Sequence, residues 1–260
     1  MDLVESAISE KSADRHPWES ARKKVVLDLI NSNLSSISDS NATILDIGCG
    51  DSWLIEQLSH DLENASFTAV DTAFSEEMIV NYRKKFDQNR FSFYRELEEA
   101  NRDLKKVDLI LLLDVIEHIE DEIGFMSSLK NYGAIDENTN ILITVPAFQS
   151  LFCAHDTFLG HFRRYTNKSL KDRMEKAGLK VERTGYFFSS LLLPRAIIKL
   201  LEKLKLKSSE VKGIGDHKRS AMDPIIENTL WVDYRIARWM EKIGLKLPGL
   251  SNFAIVKLIH

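Results

Sequence analysis

The segment from Thr43 to Asp51 constrains this chain more than any other part of its sequence. Residues 44–47 are apolar apart from Asp46, which is typical of a buried strand, and Gly48 and Gly50 follow at once. Since glycine has no Cβ, the backbone can turn tightly here and lie against a ligand. With the helix predicted from Ser52 to His60, this strand and turn form the cofactor-binding corner of a doubly wound α/β fold.

Two acidic residues indicate which kind of cofactor binds at this corner. Asp46 lies inside the buried strand, where a carboxylate is costly unless a cation or hydrogen-bond donors meet it. We therefore interpret the corner as a site for a positively charged cofactor. Asp71 ends the second predicted strand, 21 positions after Gly50, where an acid can accept hydrogen bonds from both hydroxyls of a ribose.

The composition favours a globular protein of the cytoplasm. The chain has 260 residues, of which 44% are apolar, and a formal net charge of -4, so nucleic acid is not an expected partner. Cys49 and Cys153 suggest no disulfide framework. The polar, acidic first residues are unlike a secretory signal, and no apolar run approaches the length of a membrane span.

Strands and helices alternate through the middle of the chain, which predicts a mostly parallel seven-stranded sheet with helices on both faces. The predicted strands cover 43–48, 66–71, 91–94, 107–114, 140–145, 181–188 and 252–258. The predicted helices cover 16–34, 52–60, 75–86, 121–132, 167–177, 191–206 and 224–243, with Ser75 as an N-cap.

We predict one domain over 1–260, divided into an N-terminal helical cap (1–40), a cofactor-binding core (41–190), a helical insertion or lid (191–248) and the final strand (249–260). The polar stretch 207–222 inside the insertion is predicted to be a loop.

A nicotinamide-dependent dehydrogenase would share the Gly-x-Gly turn and the later acid, and it is the remote alternative. Its fingerprint requires a third glycine, and this chain has Trp53 at that position. Residues 46–50 instead resemble the first motif of the class I S-adenosylmethionine-dependent methyltransferases. The resemblance covers roughly 16–258, and the one departure is Asp51-Ser52, where the family usually has a small pair.

Further motifs are similar to this family. Residues 114–121 look like the segment after its fourth strand, and 145–147 like the end of its fifth. His155-Asp156, Leu159-Gly160-His161 and Arg163-Arg164-Tyr165 resemble a signature of one bacterial branch that is often encoded near glycan-assembly enzymes, as do His16, Trp18, Arg22 and Gly249-Leu250-Ser251.

The resemblance assigns the contacts of the cofactor, S-adenosyl-L-methionine. They are Asp46, Gly48 and Gly50 at the methionine part, Asp71 at the ribose, and Asp114 and Val115 at the sulfonium end. It also implies that Trp18 and Arg22 close over the cofactor, with a plain packing helix as the alternative. The residue of segment 94–97 that meets the adenine stays open.

Glu117 and His118 follow Asp114 by three and four positions, which places all three on one face if a helical turn begins there. Three interpretations stay open: a base or substrate contact, a divalent metal site, and a brace for the loop. Some small-RNA and quinone-precursor O-methyltransferases resemble this Glu-His pair and use it on a divalent metal. We do not expect a metal here.

The segment from His155 to Tyr165 follows the fifth strand and is predicted to roof the substrate, because ligands lie beyond the carboxyl ends of such strands. A histidine there could accept a hydroxyl proton during methyl transfer. The alternative is a salt-bridged loop in which Asp156 pairs with Arg163 or Arg164. The catalytic candidates are His155, slightly preferred, His161 and His118, and the substrate candidates are Arg163, Arg164 and Tyr165.

Residues 191–207 are apolar on one side and basic on the other. Such a helix can lie in a membrane interface, which would place the protein at the inner face of the membrane, or it can pack on the domain with its lysines solvated. The predicted reaction is O-methylation of a small, glycan-like or lipid-linked hydroxyl acceptor. A cofactor-binding partner or regulatory subunit without catalysis is the alternative, and the oligomeric state stays open.

Overall fold

The computed structural model describes residues 15–34, 37, 41–204 and 220–259, with the backbone alone at 202 and 203. These residues build a seven-stranded sheet in the order β3-β2-β1-β4-β5-β7-β6. The strands are β1 (Thr43–Ile47), β2 (Ser66–Val70), β3 (Phe91–Tyr94), β4 (Leu109–Leu113), β5 (Asn140–Pro146), β6 (Leu179–Phe187) and β7 (Ser251–Leu258). Only β7 runs antiparallel to its neighbours, so the predicted mostly parallel sheet is confirmed.

The helices are α1 (Pro17–Asn33), α2 (Trp53–Ser59), α3 (Glu76–Lys85), α4 (Leu97–Asp103), α5 (Glu122–Ser128), α6 (Ala154–Phe158), α7 (Asn167–Lys176), α8 (Leu192–Lys203) and α9 (Asp223–Lys242). The predicted cap of α3 is confirmed, since the Ser75 hydroxyl accepts a hydrogen bond from the Met78 amide at 3.1 Å. The sequence pattern does not predict α4 and α6, which have only seven and five residues. Such short helices leave too little periodicity to detect.

Helices cover both faces of the sheet, and for that reason its middle strand is apolar throughout. Every residue of β4 is buried. Leu109 and Leu111 contribute to the apolar core that also contains residues of α1, whereas Ile110 and Leu112 contribute to the core on the opposite face. A parallel strand that is buried on both faces requires such a continuous apolar run.

The insertion between β6 and β7 consists of α8 and α9. The long helix α9 packs along α1 and reaches β6 at the edge of the sheet. Most of the predicted loop 207–222 lies outside the described residues, and 220–222 lead into α9. Among the described helices, none is both long and apolar enough to cross a membrane.

Candidate active site

The glycine turn after β1 adopts a backbone conformation that residues with a Cβ atom rarely adopt. Gly48 and Gly50 have φ angles of 73° and 59°, in the left-handed region that favours glycine. The Gly48 amide donates to the Val70 carbonyl at 2.8 Å, which ties the turn to the end of β2. A Cβ at Gly48 would lie only 2.7 Å from Cγ2 of Val115, so the turn and the segment after β4 are in close contact.

Asp71 and Asp46 lie on either side of this turn. The Asp71 carboxylate accepts hydrogen bonds from the amides of Gly50 and Ala73, at 2.8 and 2.9 Å. Asp46 is only 3% exposed, and burial raises its pKa to about 7. A cationic ligand beside Asp46 would stabilise the charged carboxylate, as the sequence analysis expects of a positively charged cofactor.

Asp114 follows β4 with a φ of 59°, which is unusual for a residue other than glycine and typical of functional sites. Arg22 of α1 lies 3.0 Å from Asp114 Oδ2 and donates to the Thr144 hydroxyl at 2.9 Å. That hydroxyl in turn lies 3.3 Å from Asp114 Oδ1. The contacts with Asp114 and Thr144 join the leading helix to the carboxyl edge of the sheet, and the Arg22 guanidinium also stacks over the Trp18 ring of the same helix at 5.2 Å.

The turn after Asp114 is a 3-10 helix, Ile116–His118, and it carries an unusual acid. Glu117 is completely buried, and neither of its carboxylate oxygens has a hydrogen-bond partner among the described residues. Burial and the nearby Asp114 raise its pKa well above the ordinary value. One oxygen of Glu117 and one ring nitrogen each of His118 and His161 all lie within 4.8 Å of one another. We call these three residues the Glu–His cluster.

Asp156 of α6 organises the roof segment above this cluster. Its carboxylate accepts from the Cys153 amide at 2.9 Å and the Arg164 Nε at 2.7 Å, and it lies 3.0 Å from the His161 Nδ1. Arg195 of α8 approaches its second oxygen at 3.2 Å. Burial alone would raise the pKa of Asp156, but the hydrogen bonds from His161 and Arg164 outweigh it and hold the pKa well below its ordinary value.

An ionised Asp156 selects the tautomer that the His161 ring adopts when it is neutral. A carboxylate can only accept, so Nδ1 carries the proton and Nε2 of the neutral ring is left as an acceptor. The His161 ring meets the His118 ring edge-on, with centroids 4.6 Å apart. The amide that follows, of Phe162, donates to the Glu117 carbonyl at 2.8 Å, so the roof is fastened to the turn after β4.

The other predicted residues of the roof have different surroundings. Burial and then Arg195 lower the pKa of His155, whose ring stacks on Phe158 at 6.5 Å. Arg163 pairs with Glu122 of α5 and donates to two carbonyls, while Arg164 is buried against Asp156. The Tyr165 side chain is buried. The predicted alternative of a salt bridge from Asp156 is therefore present, with Arg164 as its partner. The guanidinium groups of Arg163 and Arg164 are both directed towards the protein.

Two residues of this site were missed by the sequence analysis. Thr144 interrupts the apolar run that follows Asn140 in β5, and that exception is the signal that could have identified it. Arg195 lies in the insertion, 39 positions from its partner Asp156, and no spacing rule connects them.

Comparison with protein families gives a match over residues 18–184 to a family described as a methyltransferase domain. Among curated proteins, the chain is 26% identical over 214 residues to the ubiquinone biosynthesis O-methyltransferase of Rickettsia bellii, in two strains. The alignment covers 76% of this chain and 75% of each relative.

Solved structures share the fold at low sequence identity. Geranyl diphosphate methyltransferase in complex with S-adenosylmethionine is 12% identical, with a TM-score of 0.55, over 93% of this chain and 86% of that one. Coclaurine N-methyltransferase bound to N-methylheliamine and S-adenosylhomocysteine is 14% identical, with a TM-score of 0.52, over 90% and 72%.

Proposed function

The chain belongs to the family of methyltransferase domains and is an S-adenosylmethionine-dependent methyltransferase, and we propose that it methylates a hydroxyl oxygen of a small, glycan-like or lipid-linked acceptor. The name of the Rickettsia relative supports the choice of oxygen. The resemblance of 155–165 to a branch encoded near glycan-assembly enzymes supports the acceptor class. We place the protein in the cytoplasm, at the inner face of the membrane.

The residues around the glycine turn fit the cofactor. Gly48 and Gly50 have positive φ angles and carry no side chain that could cover the backbone, and the Asp71 carboxylate on the Gly50 amide supports a role in holding the ribose hydroxyls. Asp46 supplies a buried carboxylate for a cationic ligand. When bound, S-adenosylmethionine supplies an electrophilic methyl group, so the main tasks of the protein are to position the acceptor and remove its proton.

The Asp156–His161 pair carries the proposal for proton removal. Asp156 orients the imidazole and keeps its proton on Nδ1, and Nε2 then takes the proton of the acceptor hydroxyl as the methyl group arrives. Asp156 also stabilises the imidazolium that results. We prefer His161 to His155 as the base, because a carboxylate orients His161 and the His155 ring stacks on Phe158.

A divalent cation is the second candidate for the Glu–His cluster. The unpartnered, buried carboxylate of Glu117 favours it, since a cation would stabilise that carboxylate in its charged form. His118 and His161 offer imidazole nitrogens, which suit several transition metals. In that case His161 is a ligand and activity depends on the metal.

The experiment is transfer of labelled methyl groups to cell extract that has been separated into polar and lipid fractions. We expect His161→Gln to lose about 10²–10⁴-fold in rate, the typical contribution of a general base. His155→Gln should stay within a few fold. Calorimetry with S-adenosylhomocysteine should give unchanged affinity for both variants.

Three results would contradict the proposal. Full activity of His161→Gln removes the assigned base, and label on nitrogen or carbon removes the assigned acceptor atom. Cofactor binding without labelled product in any fraction favours the alternative of a binding subunit.

A further inference from the structure

The helix α8 differs from an ordinary surface helix in that apolar side chains face outward and cationic ones face the protein. The two cations of α8 whose side chains the structure describes are directed inward, Arg195 to the Asp156 carboxylate and Lys199 to the Phe152 carbonyl. The outward stripe is apolar instead, and it consists of Leu193, Ile197, Leu200 and, just past the helix, Leu204. Spacings of four, three and four place these side chains on one face. Leu193 is 69% exposed, so this face lacks a partner within the described chain.

A second apolar stripe lies on α9. Its inner face, which includes Leu230, Tyr234 and Ala237, is buried, and the helix packs along α1. The opposite face exposes Ile225, Val232, Ile236, Trp239 and Ile243, again at helical spacing. The 3-10 turn Ser189–Leu191 packs against both α8 and α9, and Ser190 donates two hydrogen bonds to Asp233 in the middle of α9.

On α9, the acidic side chains are paired within the protein, whereas the exposed charges are positive. Glu227 pairs with Lys24 of α1, Glu241 pairs with Arg183 of β6, and Asp233 accepts hydrogen bonds from Ser190. The exposed charges along α9 and directly after it are cationic, namely Arg235, Lys242 and Lys246. An apolar stripe that contains tryptophan and is flanked by cations is characteristic of helices that lie in a membrane interface.

We propose that the outer faces of α8 and α9 form a docking surface for an anionic lipid bilayer. The exposed cations complement a negative surface, although the whole chain has a net charge of -4. A second copy of the chain is a poorer occupant. In a two-fold symmetric dimer the surface meets itself, which brings the cations of α9 towards those of the partner.

Docking through these helices would place the active site next to the bilayer. Arg195 belongs to α8 and contacts Asp156, which in turn orients His161. The docking helix and the proposed base are therefore connected by two polar contacts. A lipid-linked acceptor would reach the site from the same surface, yet the docking itself does not depend on the identity of the acceptor.

Co-sedimentation of the full chain with vesicles tests the proposal without any acceptor. The vesicles contain either phosphatidylcholine alone or phosphatidylcholine with 30 mol% phosphatidylglycerol as an experimental choice, on the order of natural anionic content. Ile197→Glu and Ile236→Glu place a charge on each stripe. Val80→Glu is the matched control, because Val80 is 46% exposed, close to the 49% and 50% of the two isoleucines, and lies on α3 beside β3 at the far edge of the sheet.

We expect the parent chain and Val80→Glu to bind anionic vesicles alike, and the double variant Ile197→Glu/Ile236→Glu to bind at least about tenfold more weakly. Charge reversal in Arg235→Glu should weaken binding to anionic vesicles by fivefold or more, since one cation contributes about fivefold. Circular dichroism checks that each variant is folded. Absence of vesicle binding by the parent chain, or equal binding by the folded double variant, overturns the proposal. If the parent chain is a dimer that does not bind vesicles, and only the variants of the two stripes are monomers, the surface belongs to an interface with a second copy.

Discussion

Replacement of Asp156 by asparagine is the sharpest test of how the roof is built. The carboxylate meets four donors, from Cys153, His161, Arg164 and Arg195, and it is buried. Asparagine keeps one acceptor oxygen and puts an NH2 group in place of the other. At least one donor then faces another donor, and Arg164 loses its buried counter-charge.

The size of the effect follows from this geometry. Removal of one partner from a buried ion pair costs about 3–5 kcal/mol. For a domain of this size each kcal/mol lowers Tm by about 2–4 °C, so we expect a decrease of roughly 6–20 °C. The oriented tautomer of His161 is lost as well, so kcat should fall by about 10²–10⁴-fold, the range of general-base catalysis.

Thermal unfolding followed by circular dichroism, together with the labelled-methyl assay, measures both quantities. Asp172→Asn is the matched control, because among the described residues the exposed Asp172 pairs with the exposed Lys168 on α7, and the Tm of this variant should stay within experimental scatter. An Asp156→Asn variant with unchanged Tm would refute the assigned ion pair. Reduced stability with unchanged kcat would refute the link to catalysis while leaving the ion pair in place.

The pH dependence gives a second measurement of the same carboxylate. The pKa of Asp156 in the folded chain lies below the ordinary value of 3.8. Its contribution to stability is therefore complete above that value and is lost as the pH falls towards the lower, folded-state pKa. The difference in unfolding free energy between the parent chain and Asp156→Asn should shrink as the pH is lowered from 5 towards about 2. The comparison uses those pH values at which both proteins are still folded.

Three further predictions concern the glycines and the cluster. Gly48→Ala should weaken binding of S-adenosylhomocysteine at least about tenfold in calorimetry, because the φ is positive and the new Cβ would lie 2.7 Å from Val115; unchanged affinity contradicts the tight turn. Gly249→Ala should lower Tm by several degrees, since its Cβ would lie 2.2 Å from the Phe187 carbonyl oxygen, whereas Gly133→Ala, with nothing within 4 Å, should not. Chelation should leave methyl transfer within about twofold, and loss that Mg²⁺ or Zn²⁺ restores would make the Glu–His cluster a metal site.

The fold and the cofactor corner could be predicted because their signals are local. A strand such as β4 is apolar in every residue, and the turn after β1 has positive φ angles at Gly48 and Gly50, which favour glycine. Asp71 was identified by its distance along the chain from that turn, and the structure places its carboxylate on the Gly50 amide. Each of these inferences depends on residues close together in sequence, where steric rules apply directly.

The roof could be predicted only as a list of candidates. Arg163 and Arg164 are adjacent in sequence, but they pair with Glu122 and Asp156, on different helices. Which carboxylate each arginine meets depends on how α5 and α6 are placed by the whole fold. Likewise, His161 and not His155 faces the carboxylate of Asp156, a distinction that the sequence spacing alone does not make.

The orientation of α8 is likewise not determined by its sequence, and the structure supplies it. From sequence, an apolar stripe opposite a basic stripe fits both a packed helix and a membrane-bound one. Here Arg195 contacts Asp156 of the roof and Lys199 contacts the Phe152 carbonyl just before it, so these two cations lie on the inner side. An apolar outer face costs free energy in water, and a helix with this orientation therefore gains from an apolar surface outside the chain. The contacts that order the roof are thus the same contacts that expose the stripe, which couples the proposed base to the proposed membrane surface through one helix.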